Sequence, residues 1–349
     1  MEQGNNFFSK YVYKGAIHIH STFSDGTGTI EEISLAAKKA GLDFIVITDH
    51  NCMEAKEGIY NGVYVFCGEE ISPRNKNHFL AIDIPSAISP TDIAQEYVDE
   101  VRTYGGFGFA AHPDEYNKRK NKAPAINWTD KNIEPDGVEI WNWFSSWADG
   151  YDSRSPFTAL YSFLFRNRVV HSPKKETLVW WDFLNNKYSH IVPAIGGVDA
   201  HALKRTDYII PVTIFPYDFL FKTVTNFLYL DEKLSNDFAQ SKKQIFDALK
   251  LGNNVILNRQ IDDFVPEIYI ENKSGRFFIG EKLSLDEATF LNVKIPYNLN
   301  VAILLNGIEV LKFNKQEYKF KISELGKYRV EIRKDNKGFI YTNPISVVS

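Results

Sequence analysis

The chain has 349 residues, 44% of them apolar and 24% charged, with a net charge of −4 and a pI of about 6.1. That length predicts two domains, and that charge balance argues against a nucleic-acid binder, which needs clustered Lys and Arg. Two cysteines do not suggest a disulfide framework, and no apolar stretch reaches the ~18 residues that a membrane span needs. The opening MEQGNNFFSKYVYKG lacks the basic start and apolar core of a secretion signal, so a cytoplasmic, reduced protein is expected.

Along the chain, Ala16 to His20 predicts a short strand. Thr29-x-x-Glu32 is a capping box, and Ile30, Ile33, Ala37 and Ala40 recur at helical spacing until Gly41. Phe44 to Thr48 is a continuous β-branched run that suits a strand buried on both faces. Gly62 to Cys67 and Phe79 to Ile82 read as strands, and Thr91 to Tyr104 as a helix. Phe107 to Ala111, Gly137 to Ile140 and Ile191 to Ile195 are strands again. Ser241-x-x-Gln244 predicts the start of a helix that ends near Gly252, followed by a strand over Asn254 to Leu257.

Strands alternating with helices predict βαβ units, a parallel sheet and a closed or distorted (β/α) barrel. The barrel is expected over residues 1–263, with an irregular insertion at about 114–177. The basic run Asn117 to Lys122 in it is read as a solvated loop. After Pro266 alternating strands dominate, and Asn306-Gly307 is a type I′ hairpin signal. Residues 264–349 are therefore expected to form a small all-β sandwich, without histidine or cysteine and without assigned chemistry.

The stretch GAIHIHSTFSDG places His18 and His20 two apart on a strand, hence on one face, while Ile17 and Ile19 take the other. Two adjacent buried imidazoles are costly unless something pairs them, and a shared metal ion is the simplest remedy. His50 ends FIVITDH, Glu69 ends VYVFCGEE, His78 opens HFLAI, His112 ends GFGFAAH, and His201 follows Asp199 after IVPAIGG. Six of the eight histidines thus fall at strand ends, where barrel active sites lie, while His171 and His190 do not.

HIHSTFSDG, ITDHN, the Glu of GEE, the His of NHF, AAHP and GVDAH resemble, in this order, the motifs of the PHP superfamily, named for polymerase and histidinol phosphatase. The resemblance covers about residues 14–260. DGVEIWN and KGFIYTNPISV also resemble the PHP metallohydrolases that carry a C-terminal β-sandwich. The resemblance implies a distorted (β/α)7, amidohydrolase-like barrel followed by an immunoglobulin-like sandwich, with a trinuclear metal site. It implies one ion on His18, His20, Glu69 and Asp199, a second bridged by Glu69 and held with His78 and His112, and a third on Asp25, His50 and His201. The first set would hold the catalytic metal-bound hydroxide.

Imidazole and carboxylate suit zinc, iron or manganese without choosing among them, and two to three divalent or trivalent ions are expected. Three dications against three carboxylates would leave the ligand sphere at about +3, which attracts a phosphate. Asp49 and Glu70 are read as structural, with Glu70 facing away from Glu69. Cys52 and Cys67 are read as small buried residues. Arg74, Lys76, Lys204 and Arg205 are candidate phosphate holders or ordinary surface charges, and Asn142 is a candidate for reaching the pocket. Trp141, Trp143 and Trp147 either wall the substrate or pack the insertion.

The expected activity is hydrolysis of a small-molecule phosphate mono- or diester by a metal-activated water. The alternatives are hydrolysis of a carboxyl ester, amide or carbamate at the same site, and a non-enzymatic binding module on the same scaffold. No nucleic-acid or membrane partner is expected, and the oligomeric state is left open.

Overall fold

A computed structural model describes residues 5–7, 10–74, 76–115, 126–150, 157, 160, 161, 164, 165, 170–205 and 212–349, of which 5–7, 205 and 212 by backbone alone. The basic run 117–122 lies outside the described residues. The chain divides into two compact units, one of residues 14–177 and 195–226, the other of 1–13, 178–194 and 227–349. This grouping differs from a cut at 263/264, because helix and strand segments from before residue 264 pack with the C-terminal strands.

The first unit is built on seven strands that close into a barrel: β1 (Lys10–Ile19), β2 (Phe44–His50), β3 (Val63–Ile71), β4 (Phe79–Ile82), β5 (Phe107–Ala110), β6 (Gly137–Asn142) and β7 (Ala194–Ala200). β1 runs parallel to β2 and to β7, β2 is parallel to β3, and β5 is parallel to β6. Strands β2 to β7 are buried nearly throughout, as their continuous apolar runs demand. Helix α1 (Ile30–Lys39) starts at the expected capping box: Thr29 Oγ1 accepts from Glu32 N at 3.3 Å, and Glu32 Oε2 accepts from Thr29 N at 2.9 Å. Ile30, Ile33 and Ala37 face inward, and Gly41 stops the helix at φ +71°.

One strand departs from the expected parallel pattern. β4 runs antiparallel to both β3 and β5. Residues 72–78 are too few for the crossover of a dozen or more that a parallel pair requires, so the chain turns back as a hairpin. The beginning of β4 therefore lies on the rim where its antiparallel neighbours β3 and β5 end. Helix α2 (Ala94–Thr103) then leads to β5, and helix α3 (Trp143–Gly150) follows β6 directly.

In the second unit, helix α4 (Lys175–Lys187), from Leu178 onward, packs with the C-terminal strands. Helix α5 (Phe238–Leu251) begins three residues before Ser241. Its N-cap is Asp237, whose Oδ1 accepts from Gln240 N at 2.8 Å, while Ser241 is buried and donates Oγ to Ser235 O. Ser241 is thus not the cap, because a carboxylate upstream supplies the stronger acceptor.

The C-terminal strands form two sheets. In one, β9 (Glu267–Asn272) pairs antiparallel with Gly275–Phe277 and with β10 (Phe290–Lys294), which pairs with β11 (Glu317–Lys321). In the other, β12 (Asn300–Leu305) lies between β13 (Ile308–Asn314) and β14 (Gly326–Lys334), and β14 pairs with β15 (Lys337–Thr342) and β16 (Ile345–Val348). Asn306 and Gly307 take φ +52° and +82°, as a type I′ turn requires. Alternate residues Ile268 and Ile270, Leu291 and Val293, Val301 and Ile303, and Val330 and Ile332 fill one core, each contributing about 1.5–3 kcal/mol by burial. The preceding strand β8 (Asn254–Asn258) joins β15, which is why the unit begins well before residue 264.

Candidate metal centre

Nine side chains converge at the barrel rim. His18 and His20 come from the end of β1, Asp25 from the loop after it, and His50 from the end of β2. Glu70 comes from the end of β3, His78 from just before β4, His112 from just after β5, and Asp199 and His201 from the end of β7. The reversal of β4 explains how a residue that opens a strand joins residues that close theirs. Potential ligand atoms fall into four overlapping sets whose members lie within 4.8 Å of one another: His18, His20 and Asp199; His18, Glu70 and His112; His50, Glu70 and His78; and His20, Asp25, His50 and His201.

The backbone is bent to achieve this. Across β1 and β7 the register shifts from Ile17↔Gly197 to Ile19↔Ala200, so one more residue is spent on β7. His18, Asp199 and His112 take φ +69°, +53° and +28°, regions that cost side-chain-bearing residues roughly 1–3 kcal/mol each. Simple alternation predicted the common face of His18 and His20, and the bulge re-aims them so that their rings lie 5.2 Å apart.

Glu70 is the hub. Its Oε1 lies 2.8 Å from His78 Nδ1 and 3.1 Å from His112 Nε2, and its Oε2 lies 3.0 Å from His50 Nδ1, 3.3 Å from His18 Nε2 and 3.4 Å from His20 Nε2. Asp199 Oδ1 stands 3.4 Å from His20 Nε2, and Asp25 Oδ1 stands 3.2 Å from His201 Nε2. His18, His20 and Glu70 are fully buried, whereas Asp25 is 57% exposed and marks the solvent side.

Glu69 and Glu70 therefore exchange the roles expected of them. In the parallel ladder His50 is opposite Glu70 and Asp49 is opposite Glu69, so Glu70 shares the face of the histidines. Glu69 points the other way and accepts from Ile88 N at 2.8 Å, and burial pushes its carboxyl up to about 7. The carboxylate that stands among His18, His20 and Asp199 is therefore Glu70 and not the expected Glu69.

The donor set fits metal cations. His18 Nε2, both ring nitrogens of His20 and Glu70 Oε2 are buried without a hydrogen-bond partner. Buried polar atoms are rarely left so, and here Glu70 Oε2 faces His18 Nε2 and His20 Nε2 at 3.3 and 3.4 Å without a hydrogen bond between them. Burial would raise the Glu70 and Asp199 carboxyls, but His18, His50 and His78 hold Glu70, and His18, His20 and His201 hold Asp199, well below the usual carboxylate range. Burial would lower His112 and His201, but the Glu70 bond raises the first to about 9, and Asp25 with Asp199 raises the second to about 9. Burial, with repulsion from His201, brings His20 down to about 4.

Other expected residues land elsewhere. Asn142 reaches the site, but both its ends are engaged by protein: Nδ2 lies 3.2 Å from Asp199 Oδ2 and 3.1 Å from Glu139 Oε2, and Oδ1 accepts from Ser145 N. It is therefore not open to a substrate. Arg74 and Lys204 are exposed, Lys76 is half-buried, and the side chain of Arg205 lies outside the described residues. Asp49 holds the loop that carries Asp25, accepting from Ser21 N, Ser21 Oγ and Ser24 Oγ at 2.6–2.7 Å. Trp141, Trp143 and Trp147 are buried, and the last two pack edge-on against Phe215, so they fill the interior. Cys52 and Cys67 form no disulfide, and His171 and His190 are exposed, away from the cluster.

Two residues escaped the sequence reading. Glu139, mid-strand in β6, lies 2.8 Å from His18 Nδ1, and the only signal was a carboxylate inside the apolar run GVEIW. Phe144, in α3, lies 5.7 Å from the His201 ring with no sequence signal to mark it.

Residues 16–126 match the PHP domain model. An uncharacterized protein of Methanocaldococcus jannaschii is 28% identical over 191 residues, 48% of this chain and 98% of the relative. Among solved structures, a two-domain protein of Bacteroides vulgatus containing a predicted PHP-like metal-dependent phosphoesterase is similar over 98% of this chain and 97% of its own, at 15% identity and a TM-score of 0.43. Endonuclease Q, in complex with a 27-mer duplex bearing an abasic lesion, is similar over 70% of this chain and 58% of its own, at 15% identity and a TM-score of 0.38. Residues 16–126 thus resemble a PHP domain, and the chain continues beyond that match into the rest of the barrel and a β-rich C-terminal region.

Proposed function

We propose that the protein is a metal-dependent hydrolase of a small-molecule phosphate mono- or diester, with the catalytic part in the unit of residues 14–177 and 195–226. The observation that carries this reading is the meeting of six imidazoles and three carboxylates around buried, unpartnered ligand atoms. His18, His20, Glu70 and Asp199 would hold one ion, Glu70 with His78 and His112 a second, and Asp25, His50 and His201 a third. Zinc, iron or manganese ions bound there would supply Lewis acidity, activating water and neutralising phosphoryl charge. The chain itself keeps Glu70 and Asp199 ionised as ligands and fixes the imidazoles against one another. Its exposed Asp25 and half-open His50 form the side from which a substrate would enter. No serine or cysteine nucleophile is needed.

The test is to measure metal content and to assay the metal-loaded protein on p-nitrophenyl phosphate, bis-p-nitrophenyl phosphate, carboxyl and carbamate esters, and an abasic duplex. Turnover of a phosphate mono- or diester that disappears in His20→Ala supports the reading. Turnover of carboxyl or carbamate esters alone, cleavage of the duplex alone, or a metal-replete protein inert on all of them would overturn it.

A further inference from the structure

The motif DGVEIWN places one carboxylate inside a fully buried strand, and the ligand set does not use it. Glu139 is 1% exposed, and every oxygen of its carboxylate is engaged. Oε1 lies 2.8 Å from His18 Nδ1. Oε2 accepts from the backbone N–H of His112 at 2.6 Å and from Asn142 Nδ2 at 3.1 Å. Asn142 passes the constraint on, since the same amide nitrogen lies 3.2 Å from Asp199 Oδ2. Its orientation is fixed from the other end, where Oδ1 accepts from Ser145 N at 2.8 Å, so the amide presents nitrogen, not oxygen, to both carboxylates.

We infer that Glu139 is a positioning residue for the metal ligands His18, His112 and Asp199. This rests on the metal-site part of the proposed function and not on its substrate. An ionised carboxylate only accepts, so the ring nitrogen facing it carries the proton. His18 is thereby held as the Nδ1–H tautomer, with the lone pair of Nε2 aimed at Glu70 and Asp199, where Nε2 has no hydrogen-bond partner. The bond to His112 N–H restrains a peptide that sits at φ +28°. Gly197 makes room for the arrangement: a Cβ there would meet Glu139 Oε1 at 1.6 Å and His18 Cβ at 3.1 Å. A carboxylate that merely filled the core would need neither this cleared strand nor three donors, each leading to a different ligand.

The test uses the full chain stripped of metal and titrated with Zn2+. In Glu139→Gln one acceptor oxygen becomes an NH2 group that faces a donor, His18 Nδ1 in one orientation of the amide and His112 N with Asn142 Nδ2 in the other. Zinc affinity is expected to fall about 10- to 100-fold, as for other partners of metal ligands, with the folded far-ultraviolet spectrum retained. Glu69→Gln, which lies outside the cluster, is expected to bind zinc as the native chain does. Unchanged affinity in a folded Glu139→Gln would overturn the inference. A second measurement needs no variant: 15N-histidine spectra of the zinc-loaded native chain should show His18 protonated at Nδ1, and finding its proton on Nε2 would equally overturn it. Neither readout involves turnover, so a protein inert on phosphate esters would sink the proposed activity and leave this inference standing.

Discussion

The barrel rim and the β-rich C-terminal unit bury charge in opposite ways. In the C-terminal unit buried charges are matched by protein. Arg329 makes a two-pronged pair with Asp182 at 2.7 and 2.8 Å, reaches Glu331 at 2.7 Å and lies 5.1 Å from the Trp181 ring. Lys327 donates to the carbonyls of Asn185 and Tyr188 at 2.6 and 2.9 Å, and also to that of His190, at the C-terminal end of α4. Lys10 bonds Asp231 and Glu281. At the rim, by contrast, like groups crowd together and several ligand atoms bond nothing. Satisfied polar burial holds a fold together, whereas unsatisfied, convergent polar burial marks the place where something else is to bind.

The contrast can be broken most severely at its hub. Glu70→Ala should remove metal from the cluster and lower any hydrolytic turnover by about three orders of magnitude, since metal ions contribute several kcal/mol to such reactions. Metal analysis and steady-state rates check this, and a variant that keeps full metal and rate would erase the contrast between the two units. In the other unit, Arg329→Ala leaves Asp182 without its cation and Glu331 with Arg333 alone, 3.3 Å away. It should cost about 3–5 kcal/mol of unfolding free energy while zinc binding per folded molecule stays unchanged, as read by denaturant titration and metal analysis.

Glu69 sharpens the comparison from within the barrel, being buried but not part of the cluster. Its folded pKa, about 7, is above the ordinary 4.5, so the folded state keeps a proton that the unfolded state releases. Its burial therefore leaves stability intact below pH 4.5, erodes it as pH rises from 4.5 to 7, and has no further effect above. Glu69→Gln should abolish that erosion, gaining up to about 3 kcal/mol over the native chain at pH 8 and nothing at pH 4. Unfolding curves at the two pH values give the difference, and an equal effect at both would contradict the assignment. The smallest change is at a site where polar groups are exposed and fully paired: Thr29→Ala removes the cap of α1 and should cost about 1 kcal/mol, seen as a small drop in melting temperature.

The sequence made the ligand histidines legible because each ends or opens an apolar run, and apolar runs announce strands. It could not say which of Glu69 and Glu70 faces inward. β3 is buried on both faces, so hydrophobic alternation is silent, and only the pairing of His50 with Glu70 decides. The reversal of β4 was in principle visible as a connection too short to cross over. Glu139 and Asn142 were harder, because their role depends on bonds to residues brought close only by barrel closure. At α5 the pattern Ser-x-x-Gln competes with an aspartate four residues earlier, and the carboxylate, the stronger acceptor, takes the cap.

The strand β7 brings in Asp199 and His201, the last members of the cluster in chain order. During synthesis from the N-terminus every other ligand emerges before them. Until β7 docks beside β1, a captured cation would lack both of these donors and would exchange freely with its surroundings. Retention of metal is in this way a report that the barrel has closed, and a chain cut short of residue 199 should lose its ions to a mild chelator.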